Sequence, residues 1–223
     1  MEKRYKYLDL ITAFFAVVLL ISNILSAKIL VLGPFTFDGG TVLFPLSYIF
    51  GDILTEVYGY KNARRVIWTG FFLLLFSMLT IVLVDRLPPA AGWQGQAAFD
   101  TILGLTPRII VASLIAYFSG EFVNSYILAK MKIWTKGRLL WARLIGSSVF
   151  GYLVDTLIFV AIAFGGTLDG GLLWAVLISN YVFKIGVEIV FSPLTYRIVA
   201  KLKKEEQEDY YDYKTDFNPF KVR

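Results

Sequence analysis

Six long apolar segments dominate this sequence of 223 residues. A membrane-crossing helix needs about 20 mostly apolar residues. Backbone groups in lipid must form their hydrogen bonds within the protein, which helices achieve. The segments are 8–32, 41–58, 66–84, 107–131, 139–165 and 172–200. The sequence therefore predicts an all-α, polytopic membrane protein with six transmembrane helices.

Composition agrees with this class. Only 17% of the residues are charged and 57% are hydrophobic, whereas a soluble domain carries roughly 25% charged residues. The basic amino terminus resembles a signal peptide, but its apolar run is too long for a cleaved one and is read as a retained helix. We expect one transport domain over residues 1–202 and a polar, solvated cytoplasmic tail over residues 203–223.

Basic residues recur in every other link between the apolar segments. They are Lys3, Arg4 and Lys6, then Lys61, Arg64 and Arg65, then Lys130, Lys132, Lys136 and Arg138, and finally Lys201, Lys203 and Lys204. Short loops rich in lysine and arginine stay on the cytoplasmic side of a membrane. Both termini are therefore predicted to be cytoplasmic. The net charge of +5 is explained by these loops, and no nucleic-acid partner is expected.

Several kinds of chemistry are excluded by residues that the sequence lacks. Cysteine and histidine are both absent, which rules out disulfides, thiol redox chemistry and soft-metal sites. There is no P-loop, so the chain by itself does not hydrolyse ATP. Without GxGD or GxSxG motifs, an intramembrane enzyme would need unusual carboxylate chemistry. We expect no enzymatic activity, no cofactor and no metal.

The second apolar segment carries two carboxylates. Residues 44–65 read FPLSYIFGDILTEVYGYKNARR, with Asp52 and Glu56 four positions apart. Residues at that spacing share one face of a helix, and Tyr48 lies on the same face. Charge at membrane depth costs several kcal/mol and is usually turned toward the interior of the helix bundle for a functional reason.

A short pattern from this segment recurs later in the chain. Tyr48-x-x-Gly51-Asp52 corresponds to Tyr117-x-x-Gly120-Glu121 in the fourth segment. Internal repeats of this kind are common in transporters. The match hints at two related helices that face a common space.

Polar residues lie at similar depth in five of the six segments, all except 66–84. They include Asn23, Asp52, Glu121, Asn124, Asp155, Asn180, Lys184 and Glu188. We expect them to converge on one cavity. The alternative is interhelical bonding, with Lys184 paired to Asp155 or Glu188. That alternative explains the set less well, because Lys184 is the only central cation among several carboxylates.

An acidic cavity that also carries amides suits a small ligand rich in N–H donors, or a cation. A carboxylate accepts two parallel hydrogen bonds from an amidine-like edge. Aromatic side chains at this depth could stack on a flat ring, although ordinary packing explains them equally well. These are Tyr48, Tyr117, Tyr152, Tyr181 and Phe183. The residues alone indicate a carrier, or less readily a channel, for a small polar planar solute.

Three motifs resemble one known family over nearly the whole chain. They are ISNILSAKI followed by FPLSYIFGDILTEVYGYKNARRVIW, then GEFVNSYILAKMK at 120–132, and SNYVFKIGVEIVFSPLTY at 179–196. This pattern is similar to the queuosine precursor transporters of the vitamin uptake transporter group. The resemblance implies import of 7-cyano- or 7-aminomethyl-7-deazaguanine across the cytoplasmic membrane, without an obligatory ATPase partner.

We assign roles on the basis of this resemblance. Substrate contact is assigned to Asn23, Tyr48, Asp52, Glu121, Asn124, Asp155, Asn180, Lys184 and Glu188, and coupling or gating to Asp52, Glu56, Arg64 and Arg65. Glu121 or Asp155 would receive the donor edge of the base, and Asn180 with Lys184 would bind its ring carbonyl. Asn23 and Asn124 would support the site.

Four questions stay open from the sequence. They are the preferred precursor, proton-coupled or facilitated uptake, the carboxylate that contacts the substrate, and the oligomeric state, a homo-oligomer included. A rival interpretation is the substrate-capture subunit of an energy-coupling-factor importer, which would require a separate ATPase.

Overall fold

The computed structural model describes residues 4–33, 35–104, 107–166 and 169–221. Helices account for most of them. The α-helices are α1 Leu8–Leu25, α2 Phe44–Ile53, α3 Tyr60–Asp85, α4 Gln96–Leu103, α5 Pro107–Trp134, α6 Leu140–Phe164 and α7 Gly170–Glu206. Two strands, β1 Ile29–Leu32 and β2 Phe35–Asp38, and a 3-10 turn, Gly39–Val42, join α1 to α2. A π-helical turn, Leu54–Tyr58, extends α2.

Five helical stretches are long and apolar enough to cross a membrane. They are Leu8–Leu25, Tyr60–Asp85, Gln96–Trp134, Leu140–Phe164 and Gly170–Glu206, and the third of them runs across residues 105 and 106, which lie outside the described part of the chain. Five of the six predicted spans are therefore confirmed as helices of spanning length. The class, an all-α multi-pass membrane protein, is also confirmed.

The remaining predicted span, 41–58, differs from the other five. It contains ten residues of α-helix in α2 and five of π-helix, about 20 Å in all at the usual helical rise. That is shorter than the roughly 30 Å of hydrocarbon in a bilayer. Every residue from 51 to 60 is buried. Other helices, and not lipid, therefore surround the segment that carries Asp52 and Glu56.

The first predicted span ends earlier than hydropathy indicated. α1 ends at Leu25, and Ile29–Leu32 pairs antiparallel with Phe35–Asp38, Leu32 opposite Phe35. Gly33 has φ +59° in the connection, a conformation that glycine adopts without strain. The ring of Phe37 lies 4.4 Å from that of Phe183 in α7. The all-α prediction is thus correct apart from one hairpin held against the last helix.

The first and last described residues of the chain lie at one end of the bundle, which we call the terminal face. The backbone N–H groups of Lys6 and Tyr7 donate to the Glu206 carboxylate at 2.9 and 2.7 Å. The Tyr58 hydroxyl donates to the same carboxylate at 2.9 Å. The start of α1, the end of the π-turn and the end of α7 therefore meet here. That this face is cytoplasmic stays a prediction.

The carboxyl-terminal residues 207–221, here called the tail, pack on the terminal face. α7 continues to Glu206, so the predicted boundary at residue 203 falls inside a helix. The Tyr210 N–H donates to the carbonyl of Val57 at 3.3 Å. Both carboxylate oxygens of Asp212 accept from the Tyr60 N–H at 3.1 Å, at the start of α3. These contacts use backbone groups and single side chains that composition does not reveal, while most residues of the tail are exposed. That this segment is a cytoplasmic tail stays a prediction.

Replacing Gly59 tests how tightly the tail packs. Gly59 has φ +82°, and a Cβ there would overlap the ring of Tyr210. Gly92 has φ +87° but open space around it, so Gly92→Ala measures backbone strain alone, about 1–2 kcal/mol. We expect Gly59→Ala to lower the free energy of unfolding by clearly more than Gly92→Ala, in thermal unfolding of the detergent-purified protein. Equal losses would show that Tyr210 does not pack on Gly59.

Candidate functional site

Seven polar side chains from four helices are buried together inside the bundle. We call them the central cluster: Tyr48 and Asp52 of α2, Glu121 and Asn124 of α5, Asp155 of α6, and Lys184 and Glu188 of α7. None is more than 8% exposed. The structure thus brings together seven of the nine residues that the sequence assigned to substrate contact.

Glycines allow α2 and α5 to approach closely in this cluster. A Cβ on Gly51 would lie 2.6 Å from an oxygen of Glu121, and one on Gly120 would overlap the Tyr48 hydroxyl. One turn further, the Asn124 amide donates to Asp52 at 2.7 Å. The two Tyr-x-x-Gly-acid repeats therefore face each other, and the glycine of each makes room for a side chain of the other.

On the other side of the cluster, α6 and α7 supply an ion pair and a hydrogen bond. The Lys184 Nζ lies 2.5 Å from the Asp155 carboxylate. Of the two partners that the sequence allowed for Lys184, the structure thus shows Asp155 and not Glu188. Tyr152 donates to Glu188 at 3.0 Å. With Lys184 engaged by Asp155, the structure shows no salt bridge to Asp52, Glu121 or Glu188 among the described residues.

Four carboxylate oxygens of the central cluster accept no hydrogen bond from the described residues. They are both oxygens of Glu121, Oδ2 of Asp52 and Oε1 of Glu188. The Ser47 hydroxyl lies near Glu121 but donates to its own helix, to the carbonyl of Phe44 at 2.7 Å. Buried polar atoms are nearly always hydrogen-bonded. The cluster is therefore rich in acceptors and suited to a partner that brings donors.

Two residues assigned to substrate contact lie apart from the central cluster. Asn23 is half-buried, donates to the Leu19 carbonyl at 3.0 Å and lines a crevice between α1, α3 and α4. Asn180 is also half-buried and donates to the Val176 carbonyl at 3.0 Å. Each amide is thus occupied by its own helix.

A second polar layer surrounds Glu56, between the central cluster and the terminal face. Arg143 of α6 binds this carboxylate through both terminal nitrogens, at 2.5 and 3.1 Å. Lys203 of α7 lies 2.6 Å from it and Lys132 of α5 3.5 Å. The predicted pair of Asp52 and Glu56 is therefore divided. The π-turn that begins at Leu54 contributes, because it inserts extra residues per turn between the two carboxylates.

The tail completes this layer with Asp209. Its carboxylate lies 2.6 Å from Lys132 and 2.7 Å from Lys203. Burial alone would raise the pKa of Asp209, but hydrogen bonds and charge from the two lysines hold that pKa below its usual range. Asp209 is therefore ionised at neutral pH, and three cations face two anions. We define these five residues, Glu56, Lys132, Arg143, Lys203 and Asp209, as the Glu56 layer.

Only part of the Glu56 layer was predictable from the sequence. Arg143 is a charged residue within the fifth apolar segment, and charge inside such a segment was a usable signal. Lys132 and Lys203 were read only as loop charges that set topology. Of the two arginines assigned to gating, Arg64 is buried and donates to tail carbonyls at 2.8 and 2.7 Å, whereas Arg65 is exposed.

These features define a class: a polytopic α-helical membrane protein with an acceptor-rich cluster at its centre and a charged layer beneath one face. Comparison with known proteins gives the family. The family described as "Putative vitamin uptake transporter" matches residues 38–198. The chain belongs to this vitamin uptake transporter family, and the resemblance inferred from the sequence motifs is confirmed.

Three relatives with assigned names support this family assignment. The "Probable queuosine precursor transporter" of Bacillus subtilis is 30% identical over 187 residues, covering 83% of this chain and 82% of the relative. The "Queuosine precursor transporter" of Escherichia coli is 28% identical over 204 residues, covering 90% and 89%. A relative from Haemophilus influenzae is 27% identical, covering 73% and 68%. No solved structure matches the chain.

Removing the Glu56 charge should destabilise the fold. Glu56→Gln leaves Arg143, Lys132 and Lys203 with only Asp209 as counter-charge, and breaking a buried ion pair costs about 3–5 kcal/mol. The matched control is Glu205→Gln, because Glu205 pairs with Lys6 at 3.7 Å on the surface, an interaction worth about 0–1 kcal/mol. Unfolding of the two purified variants should differ accordingly. A similar small shift in both would show that the Glu56 layer is not structural.

Proposed function

We propose that this protein is a secondary transporter that imports queuosine precursors, 7-cyano- and 7-aminomethyl-7-deazaguanine, across the cytoplasmic (inner) membrane. The observation that carries the proposal is the set of four unpaired carboxylate oxygens in the central cluster. The names of the relatives support the substrate class. In this proposal no ATPase partner is required, and the terminal face is cytoplasmic.

The chemistry of a guanine-like base fits an acceptor-rich site. Its amino group and adjacent ring N–H form a flat donor edge, which a carboxylate can bind with two parallel hydrogen bonds. Glu121 is the better of the two candidates for this role. Both of its oxygens are buried without a hydrogen-bond partner among the described residues, whereas Asp155 is engaged by Lys184 at 2.5 Å.

Aromatic side chains and charge support the same assignment. The rings of Tyr48 and Tyr152 are 4.3 Å apart, and each lies within electrostatic range of the acidic groups, so either could offer a face to the base. The aminomethyl substituent carries a positive charge. That charge would be balanced by Asp52 and Glu188, which have no salt bridge among the described residues.

Coupling of transport to protons has a physical basis in the same cluster. Asp52, Glu121 and Glu188 lie within electrostatic range of one another. Like charges repel strongly in a low-dielectric interior. Either protonation of one carboxylate or arrival of a substrate with donors relieves this repulsion, so the two events can be linked. Asp52 is the proposed coupling residue, because Asn124 holds one of its oxygens and leaves the other free.

Complementation tests the function and the role of Glu121 together. The chain is expressed in cells that lack both synthesis and uptake of the precursors, each base is supplied separately, and queuosine in tRNA is measured. We expect rescue by each of the two bases. Glu121→Gln should lower uptake about tenfold or more, because the amide N–H₂ meets a donor and leaves buried groups unpaired. Glu205→Gln, on the surface, serves as control.

The outcomes of this experiment separate the competing interpretations. No rescue with either base would overturn the proposed function, and undiminished substrate binding by Glu121→Ala would remove Glu121 from the site. Uptake by the purified chain in liposomes is expected and should saturate with substrate, as a carrier does. Uptake that appears only with added ATPase subunits would identify an energy-coupling-factor importer instead.

The coupling role of Asp52 predicts a change in pH dependence. An amide at this position mimics the protonated acid and cannot release a proton. We therefore expect uptake by the wild-type protein to vary with external pH, and uptake by Asp52→Asn to be slower and nearly independent of it. Initial rates of precursor uptake over a series of external pH values measure both the speed of uptake and its pH dependence. A variant with the wild-type rate and pH profile would eliminate Asp52 as the coupling group.

A further inference from the structure

Several contacts of the tail, residues 207–221, with α3 are made by backbone carbonyls of the tail. Arg64 donates to the carbonyls of Asp216 and Asn218 at 2.8 and 2.7 Å. One turn further along α3, the Trp68 indole N–H donates to the carbonyl of Pro219 at 2.8 Å. Such contacts require a defined backbone path. The tail therefore occupies a specific site on the terminal face.

Two tyrosines of the tail fill the gaps left by two glycines. The ring of Tyr210 lies against Gly59, just before α3, and the hydroxyl of Tyr211 lies against Gly137, between α5 and α6. Both glycines have positive φ, +82° and +75°, which other residues adopt only with strain. These two connections lie at the terminal face, so the tail contacts the turns about which its helices would separate.

The tail is also joined by charge to the interior. Asp209 bridges Lys132 of α5 and Lys203 of α7, and both lysines contact Glu56. Lys132 in addition donates to the carbonyls of Glu56 and Tyr210, at 2.6 and 2.8 Å. A continuous set of contacts therefore runs from the tail through the Glu56 layer to the helix that carries Asp52.

The contacts that attach the tail to the terminal face are partly exposed to solvent. Asp209 is 45% exposed at its side chain, and Tyr213 and Phe220 are 67% and 69% exposed. Many of the contacts are hydrogen bonds and partly exposed ion pairs, each of modest net strength because water competes for the same groups. The rings of Phe217 and Phe220 add packing on α3. Helix α6 also packs directly on both α5 and α7, so release of the tail leaves those helix contacts in place.

We propose that the tail is a latch that holds α3, α5, α6 and α7 together at the terminal face, and that it must detach before the central cluster opens at that end. The closed state is the one in this structure. That a solute then leaves by this route rests on the proposed function. The proposal that the tail holds these helices together does not depend on the proposed function.

The latch can be tested by chemical labelling, because the chain has no cysteine. Ser147, fully buried on the face of α6 between Arg143 and Asp155, is replaced by cysteine as a reporter. The labelling rate with a water-soluble maleimide is measured on the full-length protein in detergent, where both faces are accessible. Asp209→Ala and Tyr211→Ala should each raise the rate about tenfold, as expected when a closed state loses a stabilising contact. Lys214→Ala, at an exposed tail position, should leave it unchanged.

A second reporter separates opening of the latch from loss of the fold. Ala112→Cys places a thiol at a fully buried position early in α5, far along the helix from Lys132. Its labelling should not change in the Asp209 and Tyr211 variants. Unchanged labelling at position 147, or equal increases at positions 147 and 112, would overturn the proposal.

Tethering the tail tests its release during transport. The Lys130 Nζ lies 4.0 Å from the centre of the Phe217 ring, so cysteines at these two positions can be joined by a bis-maleimide with a disulfide in its spacer. Uptake should stop when the linker is in place and return when the disulfide is reduced. Unimpaired uptake with the linker intact would contradict release of the tail. If the proposed substrate is wrong, the parent protein shows no uptake, and the labelling result stands independently.

Discussion

Charge inside a membrane protein sets the arrangement of this fold. The helix that carries Asp52 and Glu56 cannot face lipid, because an exposed carboxylate at that depth is too unfavourable. The structure meets this constraint by burying residues 51–60 completely beneath other helices and the tail. Glycines at 51, 120 and 151 then allow close approach of α2, α5 and α6. Thus the least membrane-like helix is the one around which the others pack.

The two carboxylates of that helix have opposite surroundings. Glu56 is bound by Arg143 and by two lysines, as expected of a group that stabilises the fold. Asp52, by contrast, lies with Glu121 and Glu188 in a cluster where four carboxylate oxygens have no hydrogen-bond partner among the described residues. Such incomplete satisfaction of buried acceptors is unfavourable. A ligand rich in donors would relieve it, and this is the physical argument for the binding site that we propose there.

Hydropathy and buried charge in the sequence predicted some parts of the fold and of the candidate site, and not others. Hydropathy correctly located five spanning helices, and the buried charges correctly indicated that 44–58 faces the interior. Hydropathy could not distinguish the end of α1 from the strand Ile29–Leu32, since both are apolar. It also could not reveal that Arg143 reaches Glu56, 87 positions away along the chain, or that a π-turn separates Glu56 from Asp52. The tail was missed because its contacts use carbonyls and glycine gaps.

The lysines of the Glu56 layer bear on both the insertion and the packing of the protein. If the terminal face is cytoplasmic, as proposed, their charges favour that orientation while the helices insert. In the finished structure the same ammonium groups are held by Glu56 and by Asp209. Asp209 follows the last helix, so it leaves the ribosome after every membrane segment. Lys132 and Lys203 therefore meet Asp209 only after all the membrane segments have been made, and the tail is the last part of the chain to join the Glu56 layer.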